Sequence, residues 1–396
     1  MKILVYRYGS ICEPDIIATF QKYGIEVLTI DAEVTRKDIA PSEAVTLVSN
    51  FVNDHPVDAV FTINFYPFLS ELCNIYHLPY LSWIVDSPVM ELYALPIQNK
   101  WNRVFLFDRE MYNEIHPLNP ECVFHLPLAV NASAKQNVIH DATDEQINKF
   151  TCDISFVGSL YTEKCPYDRF RTEDDQLRGY LDGIMAAQMK VYGYYFIEEC
   201  LTDDIVNRFK KDFPGFYTYP DRNFLTDKTV LSQLYIGNKI SAMERVEVTR
   251  RLSERHNMEL FTASDTSKLP LVHNRGTCKS LEEMPIVFAN SCINLNITSK
   301  AIRSGMPQRV FDILGCKGFM LSNYQTELMD YFVPGEDIAV YESMEDLVYK
   351  AGYYLAHRNE AEQMAESAYY KIVKYHTLDV RILQMFELAF DKTGNR

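Results

Sequence analysis

No Gly-x-Gly-x-x-Gly follows the first apolar segment of this 396-residue chain. The turn Gly9-Ser10-Ile11-Cys12 has one glycine only, which argues against a nicotinamide dehydrogenase. Gly-x-x-x-x-Gly-Lys-Ser/Thr and Gly-x-Ser-x-Gly are also absent, which removes a P-loop nucleotidase and the nucleophile elbow of a serine hydrolase. The nine cysteines include no Cys-x-x-Cys and no Cys/His cluster with zinc spacing. An odd number without a framework predicts reduced thiols and a cytoplasmic address. No segment approaches the ~18 apolar residues of a membrane span, so no integral membrane segment is expected. The start, MKILVYRYG, is too short and too quickly polar for a signal peptide. Basic runs are no longer than pairs, such as Lys210-Lys211 and Arg250-Arg251, and the net charge is −15. That balance argues against a nucleic-acid partner or an anionic membrane surface, while leaving room for a local basic pocket.

What the chain does have is apolar material, at 47%, enough for two cores. Over the first ~130 residues, short apolar runs alternate with helical stretches. Strands are expected at 3–6, 27–30, 59–63, 80–85, 104–107 and 123–126, with helices at 45–52 and 69–75 among the connections. This rhythm predicts a parallel sheet covered on both faces. Ligands of such sheets lie beyond the carboxyl ends of the strands, where this chain carries Gly9, Ser10, Asn64, Tyr66, Asp86 to Pro88 and Asp108. His125 falls in an apolar strand and reads as a core histidine.

A polar stretch at 132–145 reads as a linker. A second alternating block opens with a strand at 154–157 and its Gly158-Ser159 turn, then a helix at about 168–189. Further strands are expected at 190–192, 258–261, 286–288, 292–295, 319–321 and 338–340. Residues 203–257 look helical and weakly patterned. Helices near 343–356, 359–374 and 378–391 close the chain. The fold class is thus α/β, two doubly wound Rossmann-like domains at 1–135 and 150–358, with a helical tail at 359–396.

Residues 304–322, SGMPQRVFDILGCKGFMLS, read as a polar turn, a short helix and a buried strand. Pro307 suits a helix start, and Val310, Phe311 and Leu314 form its apolar face. Arg309 and Asp312 share one face near the N-terminus, where a cation and free N–H groups favour an anionic ligand. An ordinary surface ion pair is the alternative.

Residues 299–381 resemble the C-terminal half of the CgeB-like (spore maturation protein) glycosyltransferases, which have the GT-B fold. The matching pieces are IRSGMPQRVFDILG at 302–315, GFMLSN at 318–323, PGEDI at 334–338 and YHTLDVR at 375–381. DISFVGSLY at 153–161 and YLSWIVDSP at 80–88 extend the resemblance to a subgroup with an N-terminal domain of unknown function. The resemblance implies transfer of a sugar from a nucleotide-sugar, with UDP as the expected nucleotide, by a hexosyltransferase-like enzyme. The acceptor would be a protein, a glycan or another cell-surface molecule. It also implies that the tail crosses back over the first domain. Retaining relatives carry Glu-x7-Glu in this region; here Ser304 stands at the first position and Asp312 at the second. Lys317 replaces a glycine common at the helix end.

Such a reaction must stabilise a leaving diphosphate. No Asp-x-Asp occurs to hold a metal for that purpose, and Asp174-Asp175 and Asp203-Asp204 read as helix caps. No metal or other cofactor is therefore expected; cations and backbone N–H groups would carry the diphosphate. The expected donor-binding residues are Gly158, Ser159, Asn296, Lys300, Arg309 and Asp312, the last accepting the ribose hydroxyls. Arg303 adds charge nearby, and Asn294 accompanies Asn296; either asparagine also suits a turn. Gly9, Ser10 and Asn64 form the acceptor side. Asp86, expected to be partly buried and so raised in pKa, is the candidate base, with helix capping as its alternative. His376 reads as structural. A sugar-nucleotide epimerase, or a non-catalytic nucleotide-sugar-binding homologue, are the other readings.

Overall fold

The computed structural model describes residues 1–163, 165–220 and 222–390. They form two compact units. The first contains Met1–Asn131, Tyr219–Leu225 and His376–Arg396, and the second Ala132–Thr218 and Thr226–Tyr375.

The first unit is built on six parallel strands: β1 (Lys2–Tyr6), β2 (Glu26–Ile30), β3 (Ala59–Ile63), β4 (Tyr80–Trp83), β5 (Asn102–Leu106) and β6 (Val123–His125), in the order β2-β1-β3-β4-β5-β6. All five residues of β3 are buried. A strand covered on both faces gains from apolar side chains at every position rather than at alternate ones. Helices Glu13–Lys22, Pro41–Asp54 and Pro67–Tyr76 each begin with a proline at the first turn, and Asp108 caps Arg109–Ile115 by accepting from the Glu110 and Met111 N–H groups. The chain returns late to this unit. His376 O accepts from Val130 N at 3.1 Å, and helix Leu378–Phe390 then packs Phe386 against Phe20, ring centroids 5.9 Å apart.

The second unit has strands β7 (Cys152–Val157), β8 (Met258–Phe261), β9 (His273–Asn274), β10 (Ser291–Asn296), β11 (Met320–Asn323) and β12 (Ala339–Tyr341), all parallel, in the order β12-β11-β10-β7-β8-β9. The strand order of each sheet reverses once: between β1 and β3 in the first, and between β7 and β10 in the second. These are the topological switch points at which doubly wound sheets open a crevice beyond the strand ends.

Several elements differ from expectation. Residues 132–145 are not a linker: helices Ala132–His140 and Asp144–Phe150 occupy them, the second opened by a Thr143/Gln146 capping box. Residues 286–288 lie in the buried helix Met284–Asn290, not a strand; short apolar runs do not distinguish the two states, and Pro285 is the helix-start signal. Residues 190–192 find no strand partner, and Tyr192 instead packs edge-on against Tyr341. Strand β9, two residues long, had no apolar signal. Within the tail at 359–396, helix Arg358–Tyr375 belongs to the second unit and Leu378–Phe390 to the first; residue 391, expected at a helix end, lies outside the described residues.

Candidate functional site

At the β1/β3 switch point of the first unit, Gly9 takes φ 88°, and its N–H donates to both carboxylate oxygens of Glu13 at 3.2 Å. Glu13 is buried and paired with Arg7 Nε at 3.0 Å. The Gly9 donor is therefore already committed to a carboxylate. Ser10 accepts from Cys12 N at 3.4 Å. Asn64, at φ 60°, accepts from the Val85 and Asp86 N–H groups at 3.1 and 3.3 Å and donates from Nδ2 to Asp86 Oδ2 at 2.6 Å. Tyr8 donates its hydroxyl to the same oxygen at 3.3 Å. Burial, and then the Asp86 charge, hold the Tyr8 phenol well above its ordinary pKa. The structure thus joins Tyr8, Asn64 and Asp86 from three strand ends. Two expectations change here. Asp86 is exposed rather than partly buried, and its partners are Asn64 and Tyr8 rather than a helix terminus.

In the second unit, the β7 and β10 ends meet at Arg245, on helix Gly237–Ser253. Its Nη1 donates to Ser159 O at 2.6 Å and its Nη2 to Ile297 O at 2.8 Å, tying together the two loops at the switch point. The guanidinium stacks 4.2 Å from the Tyr161 ring centroid. Burial lowers its pKa, and Arg309 contributes in the same sense, so the two cations feel one another. Lys300, also buried, sits in the β10 loop with Nζ 3.2 Å from Glu244 Oε2 and 4.5 Å over the Tyr192 ring. Three cations thus gather at the carboxyl end of one sheet in a chain of net charge −15.

The other expected donor residues are placed as follows. Gly158 N donates to Phe261 O at 3.1 Å, so this N–H serves the sheet rather than pointing into a ligand space. Ser159 Oγ donates to Glu163 at 2.8 Å and accepts from Tyr161 N at 2.8 Å. Asn296 is buried, its Nδ2 donating to Thr298 Oγ1 at 3.0 Å and Ser322 Oγ at 2.9 Å. Asn294 accepts from Ser155 Oγ at 3.0 Å and donates to Phe288 O and Phe319 O. Both asparagines therefore belong to a polar ladder crossing β7, β10 and β11, and neither forms a turn. Arg309 lies 3.4 Å from Asp312, with its guanidinium over the Phe288 ring and Nη1 against Met284 Sδ. Asp312 is buried and also accepts from Gln308 Nε2 at 3.3 Å.

Sequence reading missed Tyr8, Arg245, Glu244 and Glu327. Glu327 is buried and accepts from Ser304 Oγ at 2.7 Å, bringing a carboxylate to the position where the sequence has serine. Glu244 could have been found: it falls in the buried helical stripe of Ile240, Ser241, Val248 and Leu252, where a charge is out of pattern. Of the paired acids, Asp174 caps its helix at Leu177 N, whereas at 203–204 Thr202 is the cap. Among the described residues no three His, Cys, Asp or Glu side chains converge, and no helix is long and apolar enough to cross a membrane.

Residues 248–387 match the family model described as "Glycosyl transferase-like". No curated protein matches the chain. Among solved structures, a glycosyltransferase from Rickettsia africae is similar over 100% of this chain and 99% of its own, at 10% identity and a TM-score of 0.57. HepE from Anabaena, solved with UDP and glucose, is similar over 98% of both chains, at 11% identity and 0.56. Sucrose-phosphate synthase from Thermosynechococcus elongatus covers 99% of this chain and 100% of its own, at 8% identity and 0.58. With two parallel six-stranded α/β units in one chain, the protein has the GT-B fold seen in glycosyltransferases.

Proposed function

We propose that this chain is a glycosyltransferase of the CgeB-like group, transferring a hexosyl residue from a UDP-sugar to a protein, glycan or other cell-surface acceptor in the cytoplasm. The observation that carries the proposal is the gathering of Arg245, Lys300 and Arg309 at the β7/β10 switch point, within a fold whose relatives include one solved with UDP and glucose. Cations there supply the charge that a leaving diphosphate needs, so the reaction requires no divalent metal. The second unit binds the donor: Arg309 and Lys300 face the diphosphate, the Ser159 loop closes on it, and Asp312 takes the ribose. The first unit binds the acceptor, whose hydroxyl is oriented by the exposed Asp86 carboxylate with Asn64 and Tyr8.

The test is a thermal-shift screen of nucleotide sugars with and without chelator, since a bound ligand raises the melting point by mass action. UDP-sugars are expected to raise it equally in both conditions; a shift that disappears with chelator would defeat metal independence. Arg309→Ala is expected to lose about 1.5–3 kcal/mol of UDP affinity, the range for hydrogen bonds to charged groups. Unchanged affinity would remove Arg309 from the site. Slow release of UDP from donor into water separates a transferase from a binding protein, and conversion of the sugar without UDP release would indicate an epimerase.

A further inference from the structure

We infer that Glu244 is a positioning residue that fixes the Lys300 ammonium for the donor diphosphate, an inference that rests on the donor reading above. Glu244 is fully buried, and Lys300 lies over it with 8% of its surface exposed. Their charges are 3.2 Å apart. The Lys300 backbone is tied to the same helix one turn earlier: its N–H donates to Ser241 Oγ at 2.9 Å, and that hydroxyl donates to Gly237 O at 2.7 Å.

The carboxylate has no firm hydrogen bond of its own. Among the described residues neither oxygen of Glu244 makes a well-directed hydrogen bond, and the Tyr192 and Tyr341 hydroxyls lie close enough that burial, and then the carboxylate charge, hold both phenols above their ordinary pKa. A buried carboxylate that lacks well-directed hydrogen bonds is a poor stability device, because desolvation offsets the attraction and apolar packing would serve as well. What the pair does accomplish is to fix a cation. An ammonium has three donors. Held by Glu244 and set over the face of the Tyr192 ring, it keeps donors for an anion. The next residue, Arg245, holds the carbonyls of Ser159 and Ile297. Two consecutive side chains of one helix thus set the lysine and the loops around it.

The test is calorimetric binding of UDP and of uridine to the full chain as wild type, E244Q, E244M, K300M and E244M/K300M. E244M is expected to weaken UDP about tenfold, the loss of one charge-assisted contact. E244Q should weaken it less, because its amide oxygen keeps a partial negative charge beside the ammonium. Uridine, which has no diphosphate, should bind all variants alike, and E244M should add nothing once Lys300 is gone. Equal weakening of uridine and UDP would reveal a purely structural role and overturn the inference. So would additivity with K300M, or UDP affinity that is unchanged or higher in E244M. If E244M fails to fold, E244Q, of nearly the same volume, carries the same comparison. Wild type that binds no UDP overturns the donor reading and this inference together; wild type that binds UDP while the variants behave additively overturns the inference alone.

Discussion

His376 is 3% exposed and accepts at Nδ1 from Arg381 Nη2 at 2.9 Å. Burial, and then the Arg381 charge, push its pKa down to about 3. The folded protein therefore keeps this imidazole neutral, while the unfolded chain protonates it near its ordinary value of about 6.5. Between those values the unfolded state binds the extra proton, so stability present above about pH 6.5 is lost as the pH falls toward 3. The loss from this one residue is of the order of a few kcal/mol. Denaturation by urea at pH 7, 5 and 4 should show a shallower acid decline for His376→Gln than for wild type, whatever the variant's stability at pH 7. Parallel declines would mean that His376 does not set the acid limit. The histidine was legible as structural in the sequence; its acid sensitivity was not, because Arg381 becomes its neighbour only when the last helix forms.

Between residue and fold stands the contact of helix Gln308–Gly315 with strands β10 and β11. Gly318 has no special φ, yet a Cβ there would lie 2.6 Å from Phe288 O and 2.7 Å from Asn294 Nδ2. That amide donates to Phe288 O and Phe319 O, so a methyl group would displace the centre of the polar ladder. Gly318→Ala is expected to cost about 2–4 kcal/mol, combining overpacking with a lost buried hydrogen bond. Chemical denaturation measures it, and a loss below about 0.5 kcal/mol would show that the ladder yields freely. One residue earlier, Lys317 occupies φ 61°, the left-handed conformation that helix ends usually give to glycine. At this scale the sequence was read well where periodicity and breakers agree, as at 304–322. It is less legible where a short apolar run such as 286–288 fits helix and strand equally, or where a cap such as Thr143 stands inside a polar stretch.

For the whole molecule, the last return of the chain to the first unit ties the last helix to the beginning. Leu378, Ile382, Met385 and Ala389 of Leu378–Phe390 are buried in the first unit, Arg103 Nε donates to Ala389 O at 2.7 Å, and Lys22 pairs with Asp379 at 2.6 Å. Three of these side chains are large, and each contributes about 1.5–3 kcal/mol on burial. Their sum is comparable with the total stability of a domain, about 5–15 kcal/mol. Removing residues 376–396 is therefore expected to unfold the first unit while the second, with its own sheet and core, stays protected. Hydrogen exchange would show loss of protection in β1 to β6 and its retention in β7 to β12. Retained protection in both would contradict this account of the tail.

The alternation of apolar strands and helices along the chain was sufficient to determine two parallel α/β layers, because burial on both faces of a parallel sheet leaves a continuous apolar run that local reading detects. The same pattern makes the ends of β1, β3, β7 and β10 the expected ligand side. It could not choose which polar groups remain available there, since hydrogen-bond partners come from residues distant in the chain. Only the tertiary structure committed Gly9 and Gly158 N–H groups and Asn296 to internal partners. It also exposed Asp86, and it brought Glu244 and Arg245, from a segment with no motif, beneath Lys300 and the loops it serves.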